Sequence, residues 1–550
     1  MPVIAQAPGV TIPDIPWAAI SPELVLFGFG ILILLLDTAG RQRLQASFLA
    51  LGLLGAGAGF AVYQTGETVL PGLVGLVALT QFALTWIWRD RPRRLGALLA
   101  AIGFAAGLGV SAWQWTVHAG GPLIATESLL GDMVAVDGVA LFTRFTVCLV
   151  GLVAVPLGFS YLEERRIHRG EYYPLLLFAA TGMTLLASSA DLIMVFISIE
   201  VLSLSLYILC GFAKRDLNSQ ESALKYFLLG AFSSAILLYG IALVYGITGS
   251  TNLAEASVAF RSLDAPAGLV IAAMALLLVG FGFKVSLVPF HMWTPDVYQG
   301  APTPVTGFMA AGVKAAAFAA FLRVFVGAFA AQSWSWVPVV WILAVLTMLA
   351  GAILAVVQDD LKRMLGYSAV AHAGYALVGL VAVSREGASA TLFYLFVYAF
   401  MSLGAFGILT LLERRSHKAM AVADLRGLGQ RYPVPAGMFA LFLLSLAGIP
   451  GTAGFMAKLA VFRAGMDAGQ VVLLVVLVAS SIIAAFFYIR VIVAMFMEEQ
   501  PAEEAAEEPP LIATMGVSAG LAAAAAAVVV LGILPGALID LARQAASFAG

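Results

Sequence analysis

Four residues of this chain, Glu200, Lys284, Lys314 and Lys458, carry ionisable groups well inside long apolar runs. If those runs are membrane helices, each charge costs roughly 2.5–3.5 kcal/mol at the bilayer centre on insertion scales, so each needs a partner, water or a task. Glu200 stands in Phe196-Ile197-Ser198-Ile199-Glu200-Val201-Leu202-Ser203, and Lys284 in Gly280-Phe281-Gly282-Phe283-Lys284-Val285-Ser286-Leu287-Val288-Pro289. Burial penalises the charged form of a carboxylate or an ammonium, and an opposite charge nearby restores it. A buried lysine with a carboxylate close by can therefore take up and release a proton, which is the chemistry of a proton relay. His372 suits the same task by its near-neutral intrinsic pKa, although a lone buried histidine is more commonly a hydrogen-bonded core residue. Lys225, Arg323 and Arg490 lie near the ends of their apolar runs, where a long side chain can carry its charge to the interface. Arg144 is open to either reading. A structural ion pair is the competing account of any one of these groups.

The elements that must position these groups follow from composition. Of the 550 residues, 62% are hydrophobic and 11% charged, against about 25% charged in soluble proteins. Such a chain cannot cover a water-facing surface, and the bilayer is its natural solvent. A net charge of −2 argues against nucleic acid as a partner. Two cysteines, Cys148 and Cys210, are too few for a disulfide framework, a metal cluster or an iron–sulfur site. The first 16 residues lack the basic stretch and short apolar core of a cleavable signal, so the first apolar segment is expected to stay as a span.

Runs of roughly 20 apolar residues predict an all-α membrane protein with about 16 spans. They fall near 18–37, 45–64, 69–88, 96–115, 137–160, 172–189, 191–212, 222–248, 267–291, 304–328, 336–357, 363–383, 389–412, 435–463, 470–497 and 512–535. Continuous apolar runs exclude a β-barrel, whose strands alternate. The loops after odd-numbered spans hold most of the basic residues, among them Arg89, Arg91, Arg165, Arg166, Lys214, Arg215, Lys362, Arg363, Arg414 and Arg415, whereas the other side has only Arg261, Arg385, Arg463 and Arg543. The positive-inside rule places the odd loops in the cytoplasm and both termini outside. The acidic, Pro/Ala-rich stretch 498–511 reads as a cytoplasmic linker before a C-terminal helix in 512–550.

Two spans are interrupted. Pro289 follows Lys284, and Ala447-Gly448-Ile449-Pro450-Gly451-Thr452-Ala453-Gly454 precedes Lys458. Proline and glycine at bilayer depth predict broken helices, which are tolerated where they line a cavity and which mark ion sites. The broken helices are five spans apart, so 172–328 and 336–497 can be matched as two five-helix units, preceded by N-terminal helices in 1–136 and a connecting helix and loop in 137–171. In each unit a very short link joins the first two helices, at Ala190 and at Gln358–Lys362; the second helix has an ionisable residue at its tenth position, Glu200 or His372; and the broken fourth helix holds Lys284 or Lys458. Five being odd, the second unit must enter the membrane from the opposite side, giving an inverted repeat.

These residues carry a resemblance. Gly282-Phe283-Lys284-Val285-Ser286-Leu287-Val288-Pro289-Phe290-His291-Met292-Trp293-Thr294-Pro295-Asp296-Val297-Tyr298-Gln299-Gly300-Ala301-Pro302-Thr303-Pro304-Val305 is similar to the signature of subunit N of bacterial respiratory complex I, one of the antiporter-like membrane subunits of the proton-translocating NADH:quinone oxidoreductase. Lys362-Arg363-Met364-Leu365-Gly366-Tyr367-Ser368 with His372 and Gly374-Tyr375, and Ser445-Leu446-Ala447-Gly448-Ile449-Pro450, fit as well, and the likeness runs over 137–535. The resemblance implies a proton-translocating role for Glu200, Lys225, Lys284, Lys314, His372 and Lys458: Glu200 and Lys284 as a pair, Lys225 modulating it, Lys314 bridging, and Lys458 in the second half-channel. It implies a non-redox subunit of a translocase, with FMN, iron–sulfur clusters and quinone held by other subunits and no cofactor or metal here. It implies subunit M on one side, small subunits such as K and J on the other, and a bacterial inner membrane. It also implies about 14 conserved helices, so two of the spans before residue 137 are extra. His291 and Asp296 are expected to be interfacial structure. A second class, an Mrp-like cation/proton antiporter subunit, would use the same buried groups, and a passive scaffold with structural charge pairs is a third.

Overall fold

A computed structural model describes residues 19–38, 92–118, 133–262, 266–416, 420–499 and 513–549. Within them the regular structure is helical. α1 (Ser21–Thr38) packs on α2 (Pro92–His118), and α2 packs on α3 (Gly138–Glu164). A first run follows: α4 (Tyr172–Ser188), α5 (Leu192–Cys210), α6 (Leu217–Thr248), α7 (Ala267–Val285) with the short α8 (Trp293–Gly300) beyond a break, and α9 (Thr303–Phe321), prolonged by a π-helical turn at Leu322–Ala328. The second run comprises α10 (Ser333–Val356), α11 (Leu361–Val381), α12 (Arg385–Ser416), α13 (Pro433–Ala447) and α14 (Ala453–Asp467) across a second break, then α15 (Val471–Met497). α16 (Met515–Ile533) and the amphipathic α17 (Gly536–Ala545) complete it. Among the described residues 11 helices are long and apolar enough to cross a membrane. The expected spans 45–64 and 69–88 lie outside the described residues, and every other expected span has a helical counterpart.

Aspartates start four of these helices. Asp137, Asp191, Asp216 and Asp360 stand at the N-caps of α3, α5, α6 and α11, and each side chain accepts from a backbone N–H of the first turn, as Asp191 does from Ile193 at 2.7 Å and Asp360 from Arg363 at 2.8 Å. A cap of this kind satisfies donors that have no partner within the helix.

The two breaks share one geometry. α7 ends at Ser286, with φ 68°, and α13 at Gly448, with φ 87°. At the first, Leu287 N–H reaches Gly282 O and Ser286 N–H reaches Phe283 O; at the second, Ile449 N–H reaches Leu444 O and Gly448 N–H reaches Ser445 O. Both are Schellman endings, in which a left-handed residue turns the chain out of the helix. The lysines sit differently: Lys284 is in the last turn before its break, whereas Lys458 follows its break, inside α14.

The short links are also built alike. Leu192 N–H donates to Thr251 O and Leu253 N–H to Ala190 O; Leu361 N–H donates to Met420 O and Val422 N–H to Asp359 O, all at 2.9 Å. The matching bridges are Asp191 with Asn252 and Asp360 with Ala421. The two sets correspond residue for residue. Counted from the aspartate caps, the residue level with His372 is Ser203 and not Glu200, so the shared tenth position depends on where the spans are taken to begin.

Arg165, Ala213, Arg215, Gln299, Asp360, Lys362 and Met420, all from loops beside odd-numbered spans or their helix ends, line one cavity. Asp191 starts α5, whose other end runs into that cavity face, so the two link sets lie at opposite ends of the bundle.

Candidate functional site

α5, α6 and α7 bring the first group together. Lys284 is 3% exposed, and its Nζ donates to Ser203 Oγ at 2.7 Å, one turn along α5 from Glu200. Ser203 Oγ in turn donates a hydrogen bond to Ile199 O. The Lys284 ammonium also lies 5.4 Å from the centroid of the Tyr226 ring on α6. A cation over an aromatic face and in the last turn of a helix is electrostatically favoured on both counts. Tyr226 stacks on Trp293 with centroids 4.6 Å apart, and Trp293 Nε1 donates to Phe283 O at 2.9 Å, so α8 pins the end of α7 that carries the lysine.

Glu200 and Lys284 do not form a direct ion pair; Lys284 is held by Ser203, one turn from Glu200. Glu200 is half-buried on α5, whose Ile197, Leu204 and Ile208 are exposed. Its Oε1 is buried and has no hydrogen-bond partner among the described residues.

Lys225 turns away from this group. Its Nζ lies 2.6 Å from Asp296 Oδ2 and 2.6 Å from Glu221 Oε1, with the side chain 40% exposed. Arg363 Nη1 donates to Asp296 Oδ1 at 2.5 Å. Asp296 therefore joins α6, α8 and α11. Burial opposes its ionisation, but the hydrogen bonds from Lys225 and Arg363 outweigh that and hold the carboxyl below the ordinary carboxylate range. The cavity these groups line has a volume of about 800 Å³. Glu221, Ser222 and Lys225 run down α6 from it toward Tyr226, the ring beneath Lys284. Glu413 closes another wall: it accepts from Thr303 Oγ1, from Arg165 at 3.0 Å and from Tyr161 at 3.4 Å, and Lys362 Nζ is 4.0 Å away.

The second group lies among α9, α11, α12, α14 and α15. Lys314 Nζ donates to Ala369 O, and its ammonium lies 5.4 Å from the Tyr398 ring centroid. Lys458 Nζ donates to Ala447 O at 2.8 Å, where the C-terminus of α13 presents unpaired carbonyls. It lies 4.7 Å from the Tyr375 ring centroid. His372 stands between, with ring centroids 5.0 Å from Tyr398 and 5.4 Å from Tyr375. Its Nδ1 is 2.6 Å from Tyr394 Oη and its Nε2 3.3 Å from Tyr488 Oη. Tyr488 Oη is hydrogen-bonded to Ser368 Oγ, and Ser480 Oγ donates to Tyr375 Oη at 3.2 Å.

The arginines behave otherwise. Arg144, fully buried, holds Glu23 with two bonds at 2.8 and 3.0 Å and donates to Gln114 Oε1 at 3.0 Å. Arg323 does not reach for the interface: it is 9% exposed and grips Asp137 at 2.6 and 2.7 Å. Arg490 caps Val356 O and Gln358 O at the loop before α11. The sequence reading found the lysines and the histidine but missed the phenols around His372, and also Glu23, Asp137 and Glu413. One signal for the phenol cage was present: Ser368, His372 and Tyr375 follow helical spacing on one face of α11, as do Tyr394 and Tyr398 on α12.

Two broken helices, inward lysines and paired short links define an antiporter-like membrane subunit, and comparison with known proteins agrees. Residues 189–484 match the family described as NADH:quinone oxidoreductase/Mrp antiporter, TM. A subunit of respiratory complex I from Thermus thermophilus superposes with TM-score 0.70 at 36% identity, covering 86% of this chain and 99% of that one. A chain of the Mrp complex from Dietzia sp. superposes with TM-score 0.74 at 22% identity, covering 86% of this chain and 95% of that one, which shows a shared fold. NADH-quinone oxidoreductase subunit N of Rhodococcus opacus (strain B4) is 43% identical over 99% of this chain and 98% of its own length. The chain belongs to the NADH-quinone oxidoreductase subunit N family, the proton-translocating membrane subunits of complex I.

Proposed function

We propose that Lys284, Lys314, His372 and Lys458 carry the proton through this subunit, with Glu200 tuning Lys284 from its neighbouring turn and Lys225 guarding the cavity mouth. One observation supports this most directly. The buried arginines Arg144 and Arg323 are each neutralised by a carboxylate, whereas the buried ammoniums of Lys284, Lys314 and Lys458 hold only neutral oxygens, those of Ser203, Ala369 and Ala447. A paired buried charge is locked in place by its partner. An ammonium held by neutral acceptors can release its proton without stranding a buried carboxylate.

Protons enter from the cavity along α6, pass Lys284 and Lys314, and leave by way of Lys458; quinone reduction in neighbouring subunits supplies the drive. The cavity face is cytoplasmic, both termini are outside, and the membrane is the bacterial inner membrane. Subunit M flanks one side and small subunits such as K and J the other. The two five-helix runs are an inverted repeat, as the equivalent links at opposite ends support. α1 and α2 are fastened to Arg144 through Glu23 and Gln114. Lys284→Ala in the assembled complex is expected to abolish proton pumping in inverted vesicles while the complex remains intact on a native gel. Unchanged pumping by that intact complex would refute the relay.

A further inference from the structure

The imidazole of His372 makes two hydrogen bonds that are not independent. A neutral imidazole has one N–H and one acceptor nitrogen. Both nitrogens face phenols, Tyr394 at Nδ1 and Tyr488 at Nε2. One phenol must therefore donate to the ring while the other accepts from it. Tyr488 has a single hydroxyl proton and a second partner, Ser368 Oγ. When Tyr488 donates to Nε2 it accepts from Ser368, and when it accepts from Nε2–H it donates to Ser368. The tautomer of His372 and the direction of three hydroxyls are thus one variable with two values.

We infer that Ser368, Tyr488, His372 and Tyr394 form a reversible proton string, and that the phenols of Tyr488 and Tyr394 are members of the proton path between Lys314 and Lys458. The inference rests on the relay reading above and adds groups that reading does not contain. The string begins beside Lys314, whose ammonium holds the carbonyl of Ala369, the residue next to Ser368. It crosses α11, α15 and α12. His372, Tyr394 and Tyr488 are all buried, at 3%, 1% and 0% exposure, so no bulk water competes for these bonds.

The transfer balances atom for atom. In the starting state Ser368 donates to Tyr488, Tyr488 to Nε2, and Nδ1–H to Tyr394. A proton released by the Lys314 ammonium, which becomes a neutral amine, and bound by the Ser368 oxygen displaces that hydroxyl's own proton to Tyr488. Tyr488 gives its proton to Nε2, Nδ1 gives its proton to Tyr394, and the Tyr394 hydroxyl gives its proton, through water, to the neutral amine of Lys458, which becomes an ammonium. Every O–H or N–H bond broken is matched by one formed. Within the string only the tautomer and the direction have changed. A second proton cannot follow until the hydroxyls rotate and the ring returns to its first tautomer, so the string passes one proton per reset.

The test is Tyr488→Phe, which keeps the ring and deletes the hydroxyl, in the assembled complex in inverted membrane vesicles. Coupled quinone reductase activity and proton pumping are expected to fall about tenfold, equivalent to about 1.4 kcal/mol of barrier, with the solvent deuterium isotope effect altered; a change in packing alone would not move that last readout. Tyr394→Phe is expected to match it. Thr181→Ala, which removes a hydroxyl bound to Leu177 O within α4 and outside both groups, is expected to leave both rate and isotope effect unchanged. Should Tyr488→Phe not assemble, the smaller Ser368→Ala breaks the same string and carries the same expectation. Wild-type pumping and isotope effect in an assembled Tyr488→Phe or Ser368→Ala complex would overturn the string. If Lys284→Ala is dead in the same vesicles, the relay reading survives that result; if Lys284→Ala also pumps, the relay reading fails with it.

Discussion

Arg144 and Arg323 sit as deep as the lysines, yet their guanidinium forks are occupied by Glu23 and Asp137, the bidentate geometry that suits arginine to fixed pairs. A lysine is a point charge on a flexible stem, able to part from a neutral acceptor and return. That chemical difference was readable in the sequence, because a charge in an apolar run stands out whatever its neighbours. The partners were not readable. Glu23 and Arg144, or Asp137 and Arg323, are far apart along the chain, and a phenol in an apolar helix looks the same whether it faces lipid or an imidazole. Asp296 shows how much a partner matters, since its expected role as interfacial structure takes the form of a tie among three elements. Its carboxyl is held below the ordinary range by Lys225 and Arg363. The sign follows: the tie is intact where the carboxylate is ionised and is lost as pH falls through that lowered value. Hydrogen exchange of the Trp293–Gly300 backbone should stay slow from neutral pH down to about the free carboxyl value near 3.9 and quicken only below it. In Asp296→Asn it should already be fast at neutral pH, and equal protection in both proteins would show the tie to be idle.

At the scale of elements, proline and glycine announced both broken helices, but not the position of each lysine relative to its break. The break is set by the residue that takes the left-handed conformation, Ser286 or Gly448, and neither is the proline. Ser286 in particular gives no warning, since serine seldom adopts positive φ. The matching short links and breaks were legible as a pattern. Its register was not, because register is fixed by caps and backbone bonds that a span boundary cannot locate. Gly448 and Gly451 allow the two demands on the second break to be separated. Both have positive φ, 87° and 89°, so alanine at either strains the backbone; a Cβ on Gly448 would also come within 2.9 Å of Lys458 Cδ, whereas one on Gly451 meets nothing within 4 Å. Each variant should lose somewhat more than about 1 kcal/mol of stability. Proton pumping per assembled complex should drop several-fold more in Gly448→Ala than in Gly451→Ala. Equal losses would mean that the position of Lys458 across the break has no bearing on transport.

For the molecule as a whole, basic residues in alternate loops were enough to sort the loops into two sets, and the fold gathers the described loops near Arg165, Arg215, Gln299 and Lys362 around a cavity while the link at Ala190 pairs with Thr251 and Leu253 at the other end of α5. The agreement has a physical basis: the charge asymmetry acts during insertion on each short loop separately, so it survives without any knowledge of packing. What it could not supply was the lateral arrangement, which depends on side-chain shape along every helix. The orientation itself can be tested on the intact chain. Its two cysteines, Cys148 and Cys210, are buried, so a membrane-impermeant maleimide should react only with introduced thiols. Arg215→Cys lies at the cavity rim and Glu255→Cys follows the link residue Asn252 at the opposite end, and both positions are exposed. In intact cells Glu255→Cys should label and Arg215→Cys should not; in inverted vesicles the preference should reverse. Labelling of both from the same side would break the parity of the loops, and with it the inverted relation of the two runs and the direction of proton flow.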